Sequence, residues 1–388
     1  MEISACVKYV GVNDHQVDLF EGQYKVPNGM SYNSYMILDE KIAVMDTVDG
    51  FFTEEWLNNV EQVLDGKMPD YLIIQHMEPD HSASIPAFLK KYPNATVVST
   101  AKGFQFMEQF FPEFFAGQGL PAEQRIVAAN DGVLELGQHS LHFVYAPMVH
   151  WPEVMMTYEA TEKILFAADG FGKFGALDAE EEWEDEARRY YIGIVGKYGP
   201  QVQAVLKKAA GLDIQTICSL HGPVLKENLG FYLEKYDKWS SYQPEESGVV
   251  IAYASVYGNT RNAAEYLADV LQEKGQKTVL YDLARCDKAK AVADAFRYDR
   301  LVLAGITYNG DLFPCMRSFI EGLTERNYQN RKVAIIENGT WAPMTGKLIL
   351  GMFEKSKNLT FTETKVSIKS AMNAQNKEEI GKLAEELS

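Results

Sequence analysis

Cysteine is scarce in this chain: four in 388 residues, at Cys6, Cys218, Cys286 and Cys315, with no C-x-x-C pair among them. That excludes a disulfide-stapled secreted scaffold and a cysteine-rich metal knuckle, and it fits a chain kept reduced in the cytoplasm. Positive charge is scarce too, with 37 Lys and Arg against 54 Asp and Glu and a net charge of −17. A surface of that sign repels phosphate backbones, so no nucleic acid partner is expected. No apolar run reaches the roughly 18 residues that a membrane span needs, so no membrane is expected either. The first residues, Met-Glu-Ile-Ser-Ala-Cys-Val-Lys, lack a basic segment followed by an apolar one, and no secretory signal is expected.

What is present is concentrated. Residues 75–81 read Gln-His-Met-Glu-Pro-Asp-His, which brings His76, Glu78, Asp80 and His81 within six residues. Two imidazoles and two carboxylates so close together are costly unless cations hold them, and a pair of divalent metals does so. The preceding Tyr71-Leu-Ile-Ile-Gln75 reads as a short buried strand opening into a loop. Alternate residues of an extended segment point the same way, so His76 and Glu78 can share one metal. Asp80 and His81, after the turn at Pro79, can face a neighbouring one. Three further strand-like runs end in comparable groups: Phe143–Val149 in His150, Lys163–Ala168 in Asp169, and Ile214–Leu220 in His221. One metal centre at one rim of a sheet would collect them all. A satisfied loop histidine explains any single position, but not four strand ends delivering the same residue types. His15, His139 and His142 lack this context and read as surface or hydrogen-bonding residues.

His-x-Glu-x-Asp-His at 76–81, Pro-Met-Val-His-Trp-Pro-Glu at 147–153, Asp169-Gly and His221-Gly-Pro together resemble the flavodiiron (A-type flavoprotein) family, over essentially the whole chain. The resemblance implies a metallo-β-lactamase-like αββα sandwich followed by a flavodoxin-like doubly wound parallel sheet. It implies two non-haem iron ions in the first domain and FMN in the second. His76, Glu78 and His150 would hold one iron, Asp80, His81 and His221 the other, with Asp169 bridging. Hydrolases of the superfamily usually carry His where this chain has Glu78. A carboxylate there makes the site harder and more anionic, which suits iron or manganese better than a zinc hydrolase.

The implied activity is oxidoreduction: electrons pass from a small redox protein through FMN to the diiron site, which reduces O2 to water or NO to N2O. With no C-x-x-C pair in the chain, no rubredoxin module is expected within it, and the donor should be a separate rubredoxin or similar protein. The implied working unit is a head-to-tail homodimer, alone or as a dimer of dimers, with Trp151 beside His150 placed to line the contact. One or both of Tyr190 and Tyr191 are expected near the metals, donating a hydrogen bond to the oxidant; a tyrosine pair on a helix otherwise reads as core packing. Two rival classes remain. One is a metallo-β-lactamase-fold hydrolase with a regulatory flavodoxin-like domain, the other an electron-transfer flavoprotein with one structural metal. Metal content separates them: two iron, two zinc, or a single metal per chain.

Length gives a prior of about two or three domains, and the polar stretch Trp239–Gly248, punctuated by Pro244 and Gly248, marks the boundary. The expected division is a diiron domain over 1–247 and an FMN-binding domain over 248–388. After the boundary, strands at Val249–Ala254, Thr278–Tyr281, Leu301–Ile306, Val333–Glu337 and Lys365–Ile368 alternate with helical stretches such as Asn259–Lys274 and Lys377–Leu387. That alternation implies a parallel, doubly wound sheet.

Ser255, Val256, Tyr257, Gly258, Asn259 and Thr260 follow the first of these strands and open the first helix, where backbone N–H groups can close around a phosphate. The loop resembles that of flavodoxins, with Tyr257 where Ser or Thr is common. Thr307, Tyr308, Asn309 and Gly310 follow the next central strand, and Asn338, Gly339, Thr340 and Trp341 the one after. Both loops lie at carboxyl ends of strands, where open α/β sheets bind ligands, and Tyr308 and Trp341 offer flat faces to a flavin ring. Gly170-Phe-Gly-Lys-Phe-Gly175 matches a dinucleotide motif, but the acidic run Asp178–Glu186 that follows would repel a pyrophosphate. Those glycines are expected instead to let the backbone pass close to the metals. Gly117-Gln-Gly119 is weaker still, since no strand precedes it.

Overall fold

The computed structural model describes residues 3–115 and 119–388, so that Gly117 and Gln118 lie outside the described residues. The chain forms two compact units, Met1–Tyr191 with Pro200–Tyr236, and Ile192–Gly199 with Asp237–Ser388.

The first unit is built on two sheets. Six strands run in the order Val7–Tyr9, Tyr35–Ile37, Ala43–Met45, Tyr71–Ile73, Thr96–Ser99, Arg125–Val127, antiparallel over the first two pairings and parallel after them. Five more run Val133–Glu135, Ser140–Tyr145, Met155–Glu159, Ile164–Phe166, Thr216–Cys218, with only the last pair parallel. Side chains alternate across a strand. Ala43 and Met45, Tyr71 and Ile73, and Val98 of one sheet therefore meet Leu141, Phe143, Met155, Ile164, Phe166 and Cys218 of the other in a shared core. The opposite face of the second sheet, at Val144, Met156, Leu165 and Ile217, is covered by the helices Gly199–Ala209 and Leu229–Ser240 through Val202, Val205 and Leu233. The expected sandwich is therefore present.

The segment that carries the tyrosine pair is an α-helix at Trp183–Tyr190 that widens to a π-helical turn at Tyr191–Val195. The turn begins between Tyr190, which stays with the first unit, and Gly193, whose carbonyl accepts from Arg326 Nε (3.1 Å) in the second.

The second unit has a parallel sheet in the order Thr278–Asp282, Glu246–Tyr253, Tyr298–Tyr308, Arg331–Asn338, with Leu359–Phe361 and Val366–Ile368 both on the outer edge of Arg331–Asn338. One face is packed by Ala263, Ala264, Leu267 and Leu271 of the Asn259–Glu273 helix and by Ile380 and Leu383 of the Ala374–Glu386 helix. This 2-1-3-4-5 order places the topological switch between Glu246–Tyr253 and Tyr298–Tyr308, and ligands bind at the carboxyl end of such a switch.

Candidate metal centre and cofactor cleft

The loop after Tyr71–Ile73 is held before it delivers any donor. Buried Asp46, itself in a left-handed conformation (φ +54), accepts from the Gln75 backbone N–H (2.7 Å) and from Gln75 Nε2 (2.8 Å). The turn expected at Pro79 is a single helical turn, Pro79–Ser82, with proline at the first helical position, where a missing N–H costs nothing. That turn presents Asp80 and His81 as consecutive residues. His150 follows Ser140–Tyr145 after a loop, Asp169 follows Ile164–Phe166, and His221 follows Thr216–Cys218.

All seven residues converge, in two groups. In the first, His150 Nε2 lies 3.0 Å from Glu78 Oε2 and 3.1 Å from Asp169 Oδ2, and His76 Nε2 lies 3.2 and 3.4 Å from the same two oxygens. In the second, His81 Nε2 and His221 Nε2 are 3.1 Å apart, and Asp80 Oδ2 is 3.2 and 3.3 Å from them. Asp169 serves both, since its other oxygen, Oδ1, lies 3.2 Å from His81 Nε2 and 3.8 Å from His221 Nε2. Metal–donor bonds near 2.1 Å put the donors of one ion about 3.0–3.4 Å apart, and nearly all of these separations fall in that range.

Hydrogen bonding alone does not account for the cluster. Asp80 Oδ1 and Oδ2 and Asp169 Oδ1 are buried without a hydrogen-bond partner, although imidazole nitrogens stand beside them. Two imidazole nitrogens also face each other at His81 and His221. Electrostatics point the same way. Burial opposes charge on His76, but Asp169, Glu153 and Glu78 outweigh it and hold its pKa well above the usual range. Burial likewise opposes charge on His150, yet Asp169 and Glu78 push it up to about 9. Burial would raise Asp169 and Glu78, but the surrounding imidazoles hold both carboxyls well below their ordinary values. The pocket demands several positive charges, and two divalent ions meet that demand while leaving the imidazoles neutral to ligate. The donor set fits a metal pair.

Three groups that sequence reading gave no role orient these donors. Glu153 Oε1 takes the His76 Nδ1 hydrogen bond (2.8 Å) and that of the Met77 N–H (2.9 Å). The Ser31 carbonyl accepts from His221 Nδ1 (2.7 Å), and Asp46 fixes Gln75 as described. A carboxylate three residues beyond His150 was a usable signal for Glu153; a backbone carbonyl carries none.

Of the two tyrosines, Tyr190 sits beside the site, its ring 5.4 Å from the His221 ring. Burial, then the Asp169, Asp80 and Glu78 carboxylates, raise its phenol well above the usual range, so it stays a proton donor. Tyr191 packs edge-on against Tyr236 at 5.1 Å. The glycine motif opens no helix. A side chain at Gly172 would meet Asp169 O at 3.0 Å and the His221 Cβ at 3.3 Å, so its glycine permits the backbone to pass the metal donors. His15 is exposed and bonds Asp178 (3.2 Å), and half-buried His142 bonds Ser140 (3.3 Å). His139 is buried and bonds Asp39 (2.8 Å).

At the switch point of the second unit lies a cleft of about 550 Å³. Ser255, Val256, Tyr257, Asn259, Thr260, Thr307, Tyr308, Asn309, Gly310, Asn338, Gly339, Thr340 and Trp341 all line it, as do Ile306, Ala342, Met344 and Ser370. Gly258 does not. It turns the loop at φ +92, and its N–H donates to Ser255 Oγ (3.1 Å). The Asn259–Glu273 helix starts there without a side-chain cap, which leaves its first N–H groups for an anion. Trp341 is 82% exposed and Tyr257 93% exposed, two aromatic faces without protein cover. A phosphate end and an aromatic rim fit a phosphorylated flat heterocycle such as FMN.

Comparison with known proteins matches two stretches of this chain to two families. The sequence profile of the ODP family beta lactamase matches residues 30–222, and that of the flavodoxin domain matches residues 250–364. The anaerobic nitric oxide reductase flavorubredoxin of Vibrio vulnificus is 28% identical over 349 residues, 86% of this chain and 69% of that protein. The structure of rubredoxin oxygen:oxidoreductase from Desulfovibrio gigas superposes with a TM-score of 0.91 at 25% identity, over 99% of this chain and 96% of the other. The flavodiiron protein from Giardia intestinalis also superposes with a TM-score of 0.91, at 26% identity, over 100% of this chain and 95% of the other.

Proposed function

We propose, from the premise that this chain belongs to the flavodiiron protein family, that it is an oxidoreductase carrying electrons from a small redox protein through FMN to a non-haem diiron site, where O2 is reduced to water or NO to N2O. When bound, the iron pair supplies a redox-active place for the oxidant and FMN supplies the electrons. The observation that carries this reading is Asp169, whose two oxygens face two separate donor groups in a chain that also holds an aromatic-rimmed phosphate cleft. His76, Glu78 and His150 would hold one iron and Asp80, His81 and His221 the other, with Asp169 between them.

The chain's own residues set the conditions for that chemistry. Glu153 and the Ser31 carbonyl keep a proton on Nδ1 of His76 and His221, which directs each Nε2 inward. Three carboxylates, Glu78, Asp80 and Asp169, make the site hard and anionic, which favours iron over the zinc of a hydrolase. Tyr190 keeps its proton and stands ready to donate it as a hydrogen bond to the oxidant. In this reading residues 1–247 make up the diiron domain and 248–388 the FMN domain, although Ile192–Gly199 and residues 237–247 fall in the second compact unit.

The working unit in this proposal is a head-to-tail homodimer, alone or paired, in which the FMN domain of one copy faces the metal site of the other. An aromatic surface beside the metal donors supports it. Trp151 meets the His76 ring edge-on at 5.3 Å and stacks on Phe110 at 6.3 Å, and Phe110 is 42% exposed. The electron donor is then a separate rubredoxin or similar small protein. We place the enzyme in the cytoplasm, supported by four cysteines that are all free; no helix among the described residues is long and apolar enough to cross a membrane.

Metal analysis, followed by anaerobic titration of the reduced holoprotein with NO and separately with O2, tests the function. Two iron per chain, flavin reoxidation and formation of N2O or water support it. Two zinc per chain with no flavin reoxidation would return the chain to the hydrolase class. Sedimentation tests the assembly: a monomer that turns over at full rate excludes electron transfer between copies.

A further inference from the structure

Strands that deliver metal donors at one rim of the sandwich carry a second set of donors at the other. His139 immediately precedes the Ser140–Tyr145 strand that leads to His150, and Glu162 precedes the Ile164–Phe166 strand that leads to Asp169. Cys6 lies just before Val7–Tyr9, the strand paired with Tyr35–Ile37, and Asp39 lies just after Tyr35–Ile37. Glu162 and Asp169 are separated by seven residues of largely extended chain, roughly 20 Å, so the two rims form separate sites. At this far rim Cys6 Sγ, a His139 ring nitrogen and a Glu162 carboxylate oxygen all lie within 4.8 Å of one another.

His139 is built like a ligand. Its Nδ1 donates to Asp39 Oδ2 (2.8 Å), and the same oxygen accepts the His139 backbone N–H (2.7 Å). That fixes both ring and backbone and leaves Nε2 3.6 Å from Glu162 Oε1, beyond an ordinary hydrogen bond. A carboxylate behind an imidazole is the arrangement that orients metal-binding histidines. The Glu162 turn is shaped from below by fully buried Glu159, whose carboxylate accepts the N–H groups of Thr161 (2.8 Å) and Glu162 (2.6 Å). With its backbone so pinned, Glu162 keeps Oε2 buried and without a hydrogen-bond partner. Cys6 is free and half-buried.

We infer that Cys6, His139 and Glu162 form a third metal site, for a zinc-type divalent cation, which ties the segment before Val7–Tyr9 to two turns of the facing sheet. A thiolate, an imidazole and a carboxylate select a borderline-soft ion over magnesium or calcium. Three protein ligands leave a fourth position for water. Bonds of about 2.0–2.3 Å require donors about 3.5 Å apart, so side-chain rotations of about 1 Å close the site. The surrounding carboxylates of Asp39, Glu159 and Glu162 supply the negative charge that a divalent ion balances. The competing arrangement is an imidazolium held between Asp39 and Glu162, which binds no metal.

Cobalt distinguishes the two, because every donor proposed for the diiron centre is nitrogen or oxygen, and a thiolate-to-cobalt charge-transfer band therefore reports cysteine ligation alone. Full-length protein, loaded with FMN and iron, is titrated with Co2+ and read as difference spectra, then back-titrated with Zn2+. The expected result is a thiolate–cobalt band that saturates at one Co2+ per chain and is abolished by Zn2+. It is absent in Cys6→Ser and requires about tenfold or more additional Co2+ in Glu162→Gln. Cys286→Ser and Cys315→Ser should keep it. No band in the wild type, or a band that survives Cys6→Ser, overturns the assignment. Cys6→Ser changes a single atom, so its folding is checked by retained FMN and iron content, and the outcome does not depend on the activity of the diiron site.

Discussion

One oxygen of Glu153 holds two neighbours at once, the His76 ring at Nδ1 (2.8 Å) and the Met77 backbone N–H (2.9 Å). A single carboxylate thereby sets the imidazole tautomer and the path of the loop that carries His76, Glu78, Asp80 and His81. Outer partners of this kind are worth about 10–100-fold in metal affinity. Glu153→Ala should therefore weaken metal binding by about that factor, measured by chelator competition, with no direct ligand removed. Glu153→Gln retains an acceptor and should lose less. Equal metal affinity in both variants and the wild type would show that His76 is oriented by other means.

The protonation of the metal-free site gives a pH prediction. Burial opposes charge on His150, but Asp169 and Glu78 raise its pKa to about 9, above the ordinary value near 6.5. In the apoprotein the ring is thus charged at pH 7 and must lose a proton before it can ligate. Metal uptake near neutral pH should release protons, and apparent affinity should rise as pH approaches about 9. For the apoprotein itself, a raised histidine pKa contributes stability present below about pH 6.5 and lost as pH rises through about 9. Calorimetry in buffers of different ionisation enthalpy measures the protons released, and a value of zero at pH 7 would contradict this electrostatic picture.

Sequence reading brought together the residues that converge in the structure and largely missed what holds them, and the division has a physical origin. His76, Glu78, His150, Asp169 and His221 were legible because each follows an apolar run, and a strand end fixes where the next side chain can go. Asp46 and Ser31 were not, since their partners come from chain that returns in space, and Ser31 acts through a carbonyl that any residue would supply. The same holds in the cleft. Loops beside the switch point could be placed from their strands, whereas Ser370 enters from beyond Val366–Ile368, where its carbonyl takes Asn338 Nδ2 (2.9 Å) and its Oγ meets Thr340 Oγ1 (3.0 Å). His139 read as a hydrogen-bonding residue, which it is, but nothing local announced that Cys6 and Glu162 would join it.

The tyrosine pair separates two roles that adjacent residues on a helix cannot share. Tyr190 faces the His221 ring and three carboxylates, while Tyr191 packs on Tyr236. Tyr190→Phe should lower kcat for O2 or NO by about 100–1,000-fold, the range for loss of one preorganised donor in a dry site, with iron content unchanged. Tyr191→Phe should leave kcat within about twofold. Rapid-mixing reoxidation of the reduced protein distinguishes them, and equal rates in both variants would return Tyr190 to core packing.

The exposed indole of Trp341 is the clearest feature of the FMN cleft to test. An aromatic face left 82% exposed on a loop after Arg331–Asn338 has no packing role to lose, so substitution there reads ligand contact with little effect on the fold. Stacking of a flat heterocycle on an aromatic side chain contributes about 1–3 kcal/mol, which corresponds to roughly 5- to 150-fold in affinity. Trp341→Ala should weaken FMN binding by a factor in that range, and Trp341→Phe should recover most of it. Thr260→Val addresses the opposite end of the cleft. It removes a buried hydroxyl at the helix N-terminus, to which Asn338 Nδ2 donates at 3.3 Å, and should weaken FMN while leaving riboflavin, which lacks the phosphate, almost unaffected. Fluorescence titration of the apoprotein with both flavins checks the pair. If Trp341→Ala binds FMN as tightly as the wild type, the indole does not stack on the ring and the flavin must lie across Tyr308 or Tyr257 instead.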